Sequence, residues 1–285
     1  MKYGVHSFIW TADFGPGDLA LLPRVKEAGF DGVELPLFRP AAYPAAQVRR
    51  GFEAAGLECT FSVVMVDDLN TISEDAAIRA RTRQYLADCI RTIAETGSKL
   101  MVGPLYSPVG RLPGRRRTAD EWKWAVEAFR DLGPVAQQHG VTLALEPLNR
   151  FETYFLNTVD DAVRLCDEVD HPNVGVLVDT FHANVEEKNI ADAYRRAARR
   201  LKHVHTCEND RGAPGSGHVE WKEVFAALGE IGYDGWLTIE SFGFALGGIS
   251  AAASIWRDLA PTPDAIAFDG VKFLKQQMAA AAALG

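Results

Sequence analysis

The chain holds only four cysteines in 285 residues (Cys59, Cys89, Cys166 and Cys207), and no two stand in a CxxC pair. That scarcity excludes a thiolate zinc knuckle and a disulfide-stapled scaffold, and it suits a reducing compartment. No apolar run approaches the roughly 20 residues that a helix needs to span a bilayer, so no membrane partner is expected. The opening stretch, Tyr3-Gly-Val-His-Ser-Phe-Ile-Trp10, has neither the basic n-region nor the apolar h-region of a signal peptide, and a cytoplasmic protein is expected. Positive charge is also short. Thirty Lys and Arg stand against 38 Asp and Glu, and the net charge of −8 disfavours a nucleic-acid partner. Linkers and low-complexity stretches are missing, so residues 1–285 are read as one domain. What is present is an ordinary soluble composition, 47% hydrophobic and 24% charged.

The pattern alternates between strand-like and helical segments. Strands are expected at Tyr3–Trp10, Gly32–Pro36, Glu58–Val64, Lys99–Val102, Val141–Leu145, Val174–Asp179, Leu201–His205 and Trp236–Glu240. Between them lie apolar residues at helical spacing, as in Leu19, Leu21, Leu22 and Val25. Several helices end at a glycine, Gly56, Gly97 and Gly140 among them. Thr118-Ala-Asp-Glu121 has the form of a capping box, and Asn157-Thr158 can cap the following helix. A last helix from about Ile249 precedes a proline-containing break and a C-terminal helix. Eight β units alternating with helices argue for a parallel sheet closed into a (β/α)8 TIM barrel, class α/β, with an additional C-terminal helix. Gly29-Phe-Asp-Gly-Val-Glu34 and Gly232-Tyr-Asp-Gly before the strand ending at Glu240 echo each other, as shared loop chemistry between repeated units.

The stretch Leu143-Ala-Leu-Glu-Pro-Leu-Asn-Arg-Phe-Glu152 organises the functional reading. A buried strand stops at Glu146, and Pro147 cannot donate to a continuing ladder. A carboxylate at the end of a buried strand needs a partner. Matching groups end other strands: Asp179, His205 and Glu240. On a parallel barrel these ends share one rim, where active sites are built. Taken singly, an acid at a strand end is more commonly a cap or an ion-pair partner. Together, three carboxylates and one imidazole form a donor set for an oxygen-preferring cation. Without one, three carboxylates so close would repel and one would take up a proton. Beyond them lie Glu152, His182 and Arg211, the last in the glycine-containing loop Glu208-Asn-Asp-Arg-Gly-Ala-Pro-Gly-Ser-Gly217. This mix of a carboxylate, an imidazole and a fixed cation suits a polyhydroxylated ligand, with surface ion pairs as the plainer reading of each.

Glu146-Pro-Leu-Asn-Arg-Phe-Glu152, Leu156-Asn-Thr158, Asp179-Thr-Phe-His182, Asn184 with Glu186-Glu187, His205-x-x-Glu208-x-x-Arg211 and Ile255-Trp-Arg257 together resemble the ketose 3-epimerases. These are the D-tagatose, D-psicose (allulose) and L-ribulose 3-epimerases, of the xylose-isomerase-like TIM-barrel superfamily. The resemblance covers nearly the whole chain. It implies C3 epimerisation of a free ketose through a cis-enediolate. It further implies one Mn2+ per chain, with Co2+ or Mg2+ as alternatives, held by Glu146, Asp179, His205 and Glu240. By the same resemblance Glu146 and Glu240 exchange the C3 proton, Glu152, His182 and Arg211 hold the sugar near O1–O3, and the assembly is a homodimer or homotetramer.

The chain departs from that family at Cys207, Asp210, Ala183, Phe14 and His6, all outside the metal set. His6, Phe14 and the segment at Gly103 are expected to meet the far end of the sugar. Rival readings remain. Arg111 with Arg115-Arg-Arg117 could grip a phosphate, as in a sugar-phosphate or inositol-pathway isomerase; a solvated loop is the plainer account. A DNA-repair endonuclease on this barrel would want more histidines than seven and a basic face. A non-catalytic sugar-binding protein would not need both Glu146 and Glu240.

Overall fold

The computed structural model describes residues 1–66, 68–243 and 246–282. Eight parallel strands close into a barrel in sequence order. They are β1 (Lys2–His6), β2 (Gly32–Pro36), β3 (Glu58–Ser62), β4 (Leu100–Gly103), β5 (Thr142–Leu145), β6 (Val174–Asp179), β7 (Leu201–Thr206) and β8 (Trp236–Ile239). The crossovers are α1 (Leu22–Glu27), α2 (Ala45–Ala55), α3 (Ala76–Glu95), α4 (Ala119–Gln138) and α5 (Val159–Val169) in the first part. Then come α6 (Thr180–Glu186), α7 (Ile190–Ala197), α8 (Trp221–Glu230), the short α9 (Gly248–Ala252) and α10 (Pro263–Ala282). This is a TIM barrel. Closure follows from β8 pairing with β1, Lys2 opposite Trp236 and Val5 opposite Ile239. No helix among the described residues is long and apolar enough to cross a membrane.

Strands covered on both faces read as continuous apolar runs. Val174-Gly-Val-Leu-Val-Asp179 is buried at every position. Helices bury one stripe: α2 turns Ala45, Val48 and Phe52 inward and ends at Gly56, whose φ of 63° is the left-handed cap. The capping box forms as expected. The Thr118 hydroxyl accepts from the Glu121 amide at 3.1 Å, and the Glu121 carboxylate accepts from the Thr118 amide at 2.6 Å. Thr158 caps α5 in the same way, with Asp160 and Asp161 in the first turn, where the helix dipole favours negative charge.

Some boundaries differ from the sequence expectation, each for a local reason. The first strand stops at His6 rather than Trp10, because the His6 Nδ1 accepts the Phe8 amide at 3.0 Å and turns the chain into a 3-10 helix at Ser7–Ile9. The helix expected from Leu19 begins as a 3-10 turn (Pro16–Leu21) and becomes α-helical only at Leu22. The unexpected α6 starts on Asp179, whose carboxylate accepts from the Phe181 amide at 2.8 Å. Too short to show a hydrophobic period, it exists through that cap.

The barrel interior is divided. Leu100, Val102, Ala144 and Leu177 form a small apolar cluster inside β4–β6. The opposite half, from β7 round to β3, buries His203, His205, Thr238, His6, Glu34, Thr60 and Ser62. Below the polar rim lies a polar column, where most such barrels carry branched aliphatics. At the rim, Gly103 has φ of 121°, and a Cβ there would meet the Val63 carbonyl oxygen at 2.6 Å. Only glycine lets β4 end so close to the loop after β3.

Thr118→Ala is expected to lower unfolding free energy by about 1 kcal/mol, read by urea denaturation. A loss below a few tenths of a kcal/mol contradicts the cap's role.

Candidate metal centre and sugar site

Four ligand atoms meet at the carboxyl rim. Glu146 follows β5, Asp179 ends β6, His205 lies in β7 and Glu240 follows β8. Their donor atoms all lie within 4.8 Å of one another, and all four residues are buried. His205 turns Nδ1 toward this centre, 3.4 Å from Glu240 Oε2 and 3.7 Å from Glu146 Oε1. Glu146 Oε1 and His205 Nδ1 are buried with no hydrogen-bond partner. Orphaned acceptors aimed at one point are costly unless a positive charge stands between them. The residues therefore fit a divalent cation with oxygen-rich coordination.

The charges respond to this crowding. Burial, with help from the Glu240 charge, pushes the Glu146 carboxyl up to about 8. Burial and the same neighbour raise Asp179. Burial opposes the charged form of Glu240 too, but His205 and Arg211 beside it hold its carboxyl well below the usual range. His205 is pulled well above the ordinary histidine value, against its burial, by Glu240 and Glu34. Arg211 supplies the nearest fixed cation: its Nη1 donates to Asp179 Oδ2 and to Glu240 Oε2, both at 2.5 Å. The guanidinium is stacked 4.2 Å above the Phe181 ring and faces Phe242 at 5.4 Å. Its backbone has φ of 68°, unusual for a bulky residue, and Ser241 fixes that turn by donating to the Arg211 carbonyl.

His182 lies 3.6 Å from Glu146 and 3.8 Å from Asp179. Its Nδ1 accepts from the Asn149 backbone amide at 3.1 Å, and its Nε2 stands 3.0 Å from Arg211 Nη2, a group that only donates. Asn149 also donates to Glu152 at 2.8 Å. Glu152, His182, Arg211, Glu146 and Glu240 line one side of a cavity of about 260 Å3, and Gly103 is at its edge. Phe8, Phe38, Val109, Phe242 and Ile249 are among its apolar lining.

Two pocket expectations fall elsewhere. Phe14 is buried against Phe52, away from the cavity lining. His6 is fully buried, bonded to Ser62 at 2.7 Å and stacked on Phe8, so it backs the wall. Asp210, next to Arg211 in sequence, spends its charge on Arg257 at 2.6 Å. Cys207 is buried, and its thiol donates to Asp179 Oδ1 at 3.4 Å. The arginine run is also engaged. Arg115 pairs with Glu121 at 2.8 Å, and Arg117 with Asp161 at 2.7 Å.

The sequence profile of the xylose isomerase-like TIM barrel family matches residues 22–277. The probable ketose 3-epimerase of Synechocystis sp. is 36% identical over 276 residues, covering 97% of this chain and 96% of that protein. The D-psicose 3-epimerase of Ruminiclostridium cellulolyticum is 32% identical over 269 residues, 93% and 92% of the two chains. The chain belongs to the xylose isomerase-like TIM barrel family, among its ketose 3-epimerases. It is a carbohydrate epimerase, and so an isomerase. Among solved structures, a D-allulose 3-epimerase from Methylomonas sp. in complex with D-allulose superposes with a TM-score of 0.91 at 30% identity, covering 97% of each chain.

In this epimerase the sequence reading missed the supports of the site: Asn149 behind His182, Phe181 and Phe242 around Arg211, and Glu34 beneath His205. Glu34 carried one legible signal, a lone acid inside the buried strand Gly32–Pro36. The raised Glu146 carboxyl sets a pH dependence. Below about pH 8 it holds a proton that a cation must displace. Apparent affinity for a divalent cation, with Mn2+ as the probe, is expected to fall as pH drops from 8 to 6, by about tenfold per unit for each competing proton, measured by calorimetric titration. Affinity independent of pH over that window contradicts this picture.

Proposed function

We propose that the enzyme interconverts free ketoses epimeric at C3, of the D-tagatose, D-psicose, D-fructose and L-ribulose type. One divalent cation of the Mn2+ type, or Co2+ or Mg2+, is held by Glu146, Asp179, His205 and Glu240. One observation carries the reading: Glu146 and Glu240, from well-separated strands, line one cavity together with His182, Glu152 and Arg211. When bound, the cation supplies Lewis acidity that polarises the C2 carbonyl and offsets charge developing on O2 and O3. The rest belongs to the side chains. Arg211 donates to the oxygens at the reacting end, His182 meets the sugar beside it, and Glu152 accepts from a hydroxyl. One glutamate removes the C3 proton, leaving a cis-enediolate, and the other returns a proton to the opposite face. The apolar wall of Phe8, Phe38 and Ile249 keeps water from the open intermediate. A sugar-phosphate reading draws no support from Arg115 or Arg117, whose charges serve helix α4 and its junction with α5.

We further read residues 1–285 as one cytoplasmic domain, in keeping with its four free, buried cysteines. The assembly is a homodimer or homotetramer formed through the exposed aromatics Phe151 (73% exposed) and Trp256 (77%). Aromatic groups so exposed are enriched in the centres of interfaces. Trp256→Asp is expected to shift the sedimentation coefficient to that of a monomer; an unchanged value removes this face from the interface.

Glu240→Gln tests the chemistry. The amide cannot carry the proton, so kcat for D-psicose to D-fructose conversion, followed by chromatography, is expected to drop by about 10²-fold or more, with the fold kept by circular dichroism. Near-normal turnover removes Glu240 from acid–base catalysis.

A further inference from the structure

Below the four ligands, Glu34 sits in the barrel interior, fully buried, although it belongs neither to the ligand set nor to the cavity lining. Its Oε1 lies 2.6 Å from His205 Nε2. Its Oε2 accepts from the Thr60 hydroxyl at 2.8 Å. His203 Nε2 stands 3.0 Å from the same oxygen, outside good hydrogen-bond alignment, and neither of its ring nitrogens has another partner. Every polar group facing Glu34 is therefore a donor or a ring that can become one. An ionised carboxylate, which only accepts, is the form this setting fits.

The consequence falls on His205. Its two ring nitrogens face opposite ways: Nε2 down to Glu34, Nδ1 up to Glu146 and Glu240. A neutral imidazole carries one proton, and the nitrogen that binds a metal must be the bare one. A carboxylate below can only receive a proton-bearing Nε2, so it leaves Nδ1 bare and holds the ring plane toward the centre.

Resting on the metal reading above, we propose that Glu34 is a positioning residue for the metal centre. It fixes the tautomer and orientation of His205 from beneath, and the Thr60 hydroxyl anchors it there. Glu34, His203 and His205 also have the composition of a small ligand group of their own. The short contacts of Glu34 with His205 and Thr60 already satisfy both its oxygens, so the group acts as a hydrogen-bonded relay and holds no second ion.

The test uses the full chain, wild type and Glu34→Gln, titrated with Mn2+ while free Mn2+ is counted by electron paramagnetic resonance. The wild type is expected to bind one ion per chain. Glu34→Gln is expected to bind it 10- to 100-fold more weakly, with activity recovered in part at high Mn2+. A role in folding alone would lower the melting temperature of the metal-free protein and leave the dissociation constant unchanged; a constant within twofold of wild type overturns the proposal. Two ions per chain, one lost in Glu34→Gln, overturns it in favour of a second metal site. A wild type that binds no Mn2+ brings down the metal reading and this inference with it. Independently of any variant, 1H–15N spectra of the wild type loaded with diamagnetic Mg2+ are expected to show His205 protonated on Nε2 with a downfield, strongly hydrogen-bonded proton. An Nδ1-protonated ring contradicts the proposal.

Discussion

Three carboxylates and an imidazole, forced within 4.8 Å of one another at the rim of a barrel, set the terms for the rest of this structure. Like charges at that distance and depth cannot all remain ionised without positive charge among them. The surroundings supply what they can. Arg211 bridges two of the acids, and the ring of His205 borders two of them. Even so, one Glu146 oxygen is left without a partner. The crowding of the four groups, with Glu146 Oε1 and His205 Nδ1 left unpartnered, is what makes a divalent cation the natural complement of the site.

That constraint also explains where the barrel is unusual. A rim that needs oriented charge needs supports, and these extend downward as Glu34, Thr60 and His203 and sideways as Asn149, Phe181 and Phe242. Glu34, Asn149, Phe181 and Phe242 each contact a group at the centre, and Thr60 and His203 contact Glu34. The Asn149 backbone amide holds the ring of His182, and the two aromatic rings hold the guanidinium of Arg211. The polar half of the interior is costly to bury and only partly balanced by its internal hydrogen bonds, since the Thr238 hydroxyl and both His203 ring nitrogens have none. The apolar half, Leu100, Val102, Ala144 and Leu177, lies across from it.

Much of this was legible in the sequence, for identifiable reasons. Strands buried on both faces, such as Val174–Asp179, write themselves as apolar runs, and a charge at their end marks the rim. The box at Thr118 and the glycine at position 56 act through the local backbone, so they can be read locally. What could not be read depends on contacts between distant segments. Nothing near Glu34 in the sequence indicates His205, 171 positions away. His6 and Phe14 have the residue types of a sugar pocket, yet one is captured by Ser62 and the other by Phe52. Asp210 suggests a charge beside Arg211 until Arg257, from a later loop, takes it. The short α6 has no period to detect and rests on a single cap.

The most direct measurement is proton exchange at the reacting carbon. D-psicose incubated with the Mn2+-loaded enzyme in D2O and followed by NMR is expected to gain deuterium at C3 as D-fructose forms, because one glutamate takes the C3 proton and the other delivers a solvent-derived one to the opposite face. Interconversion with no label from solvent, or no change in any of the free ketoses D-fructose, D-tagatose, D-psicose and L-ribulose, would contradict the account.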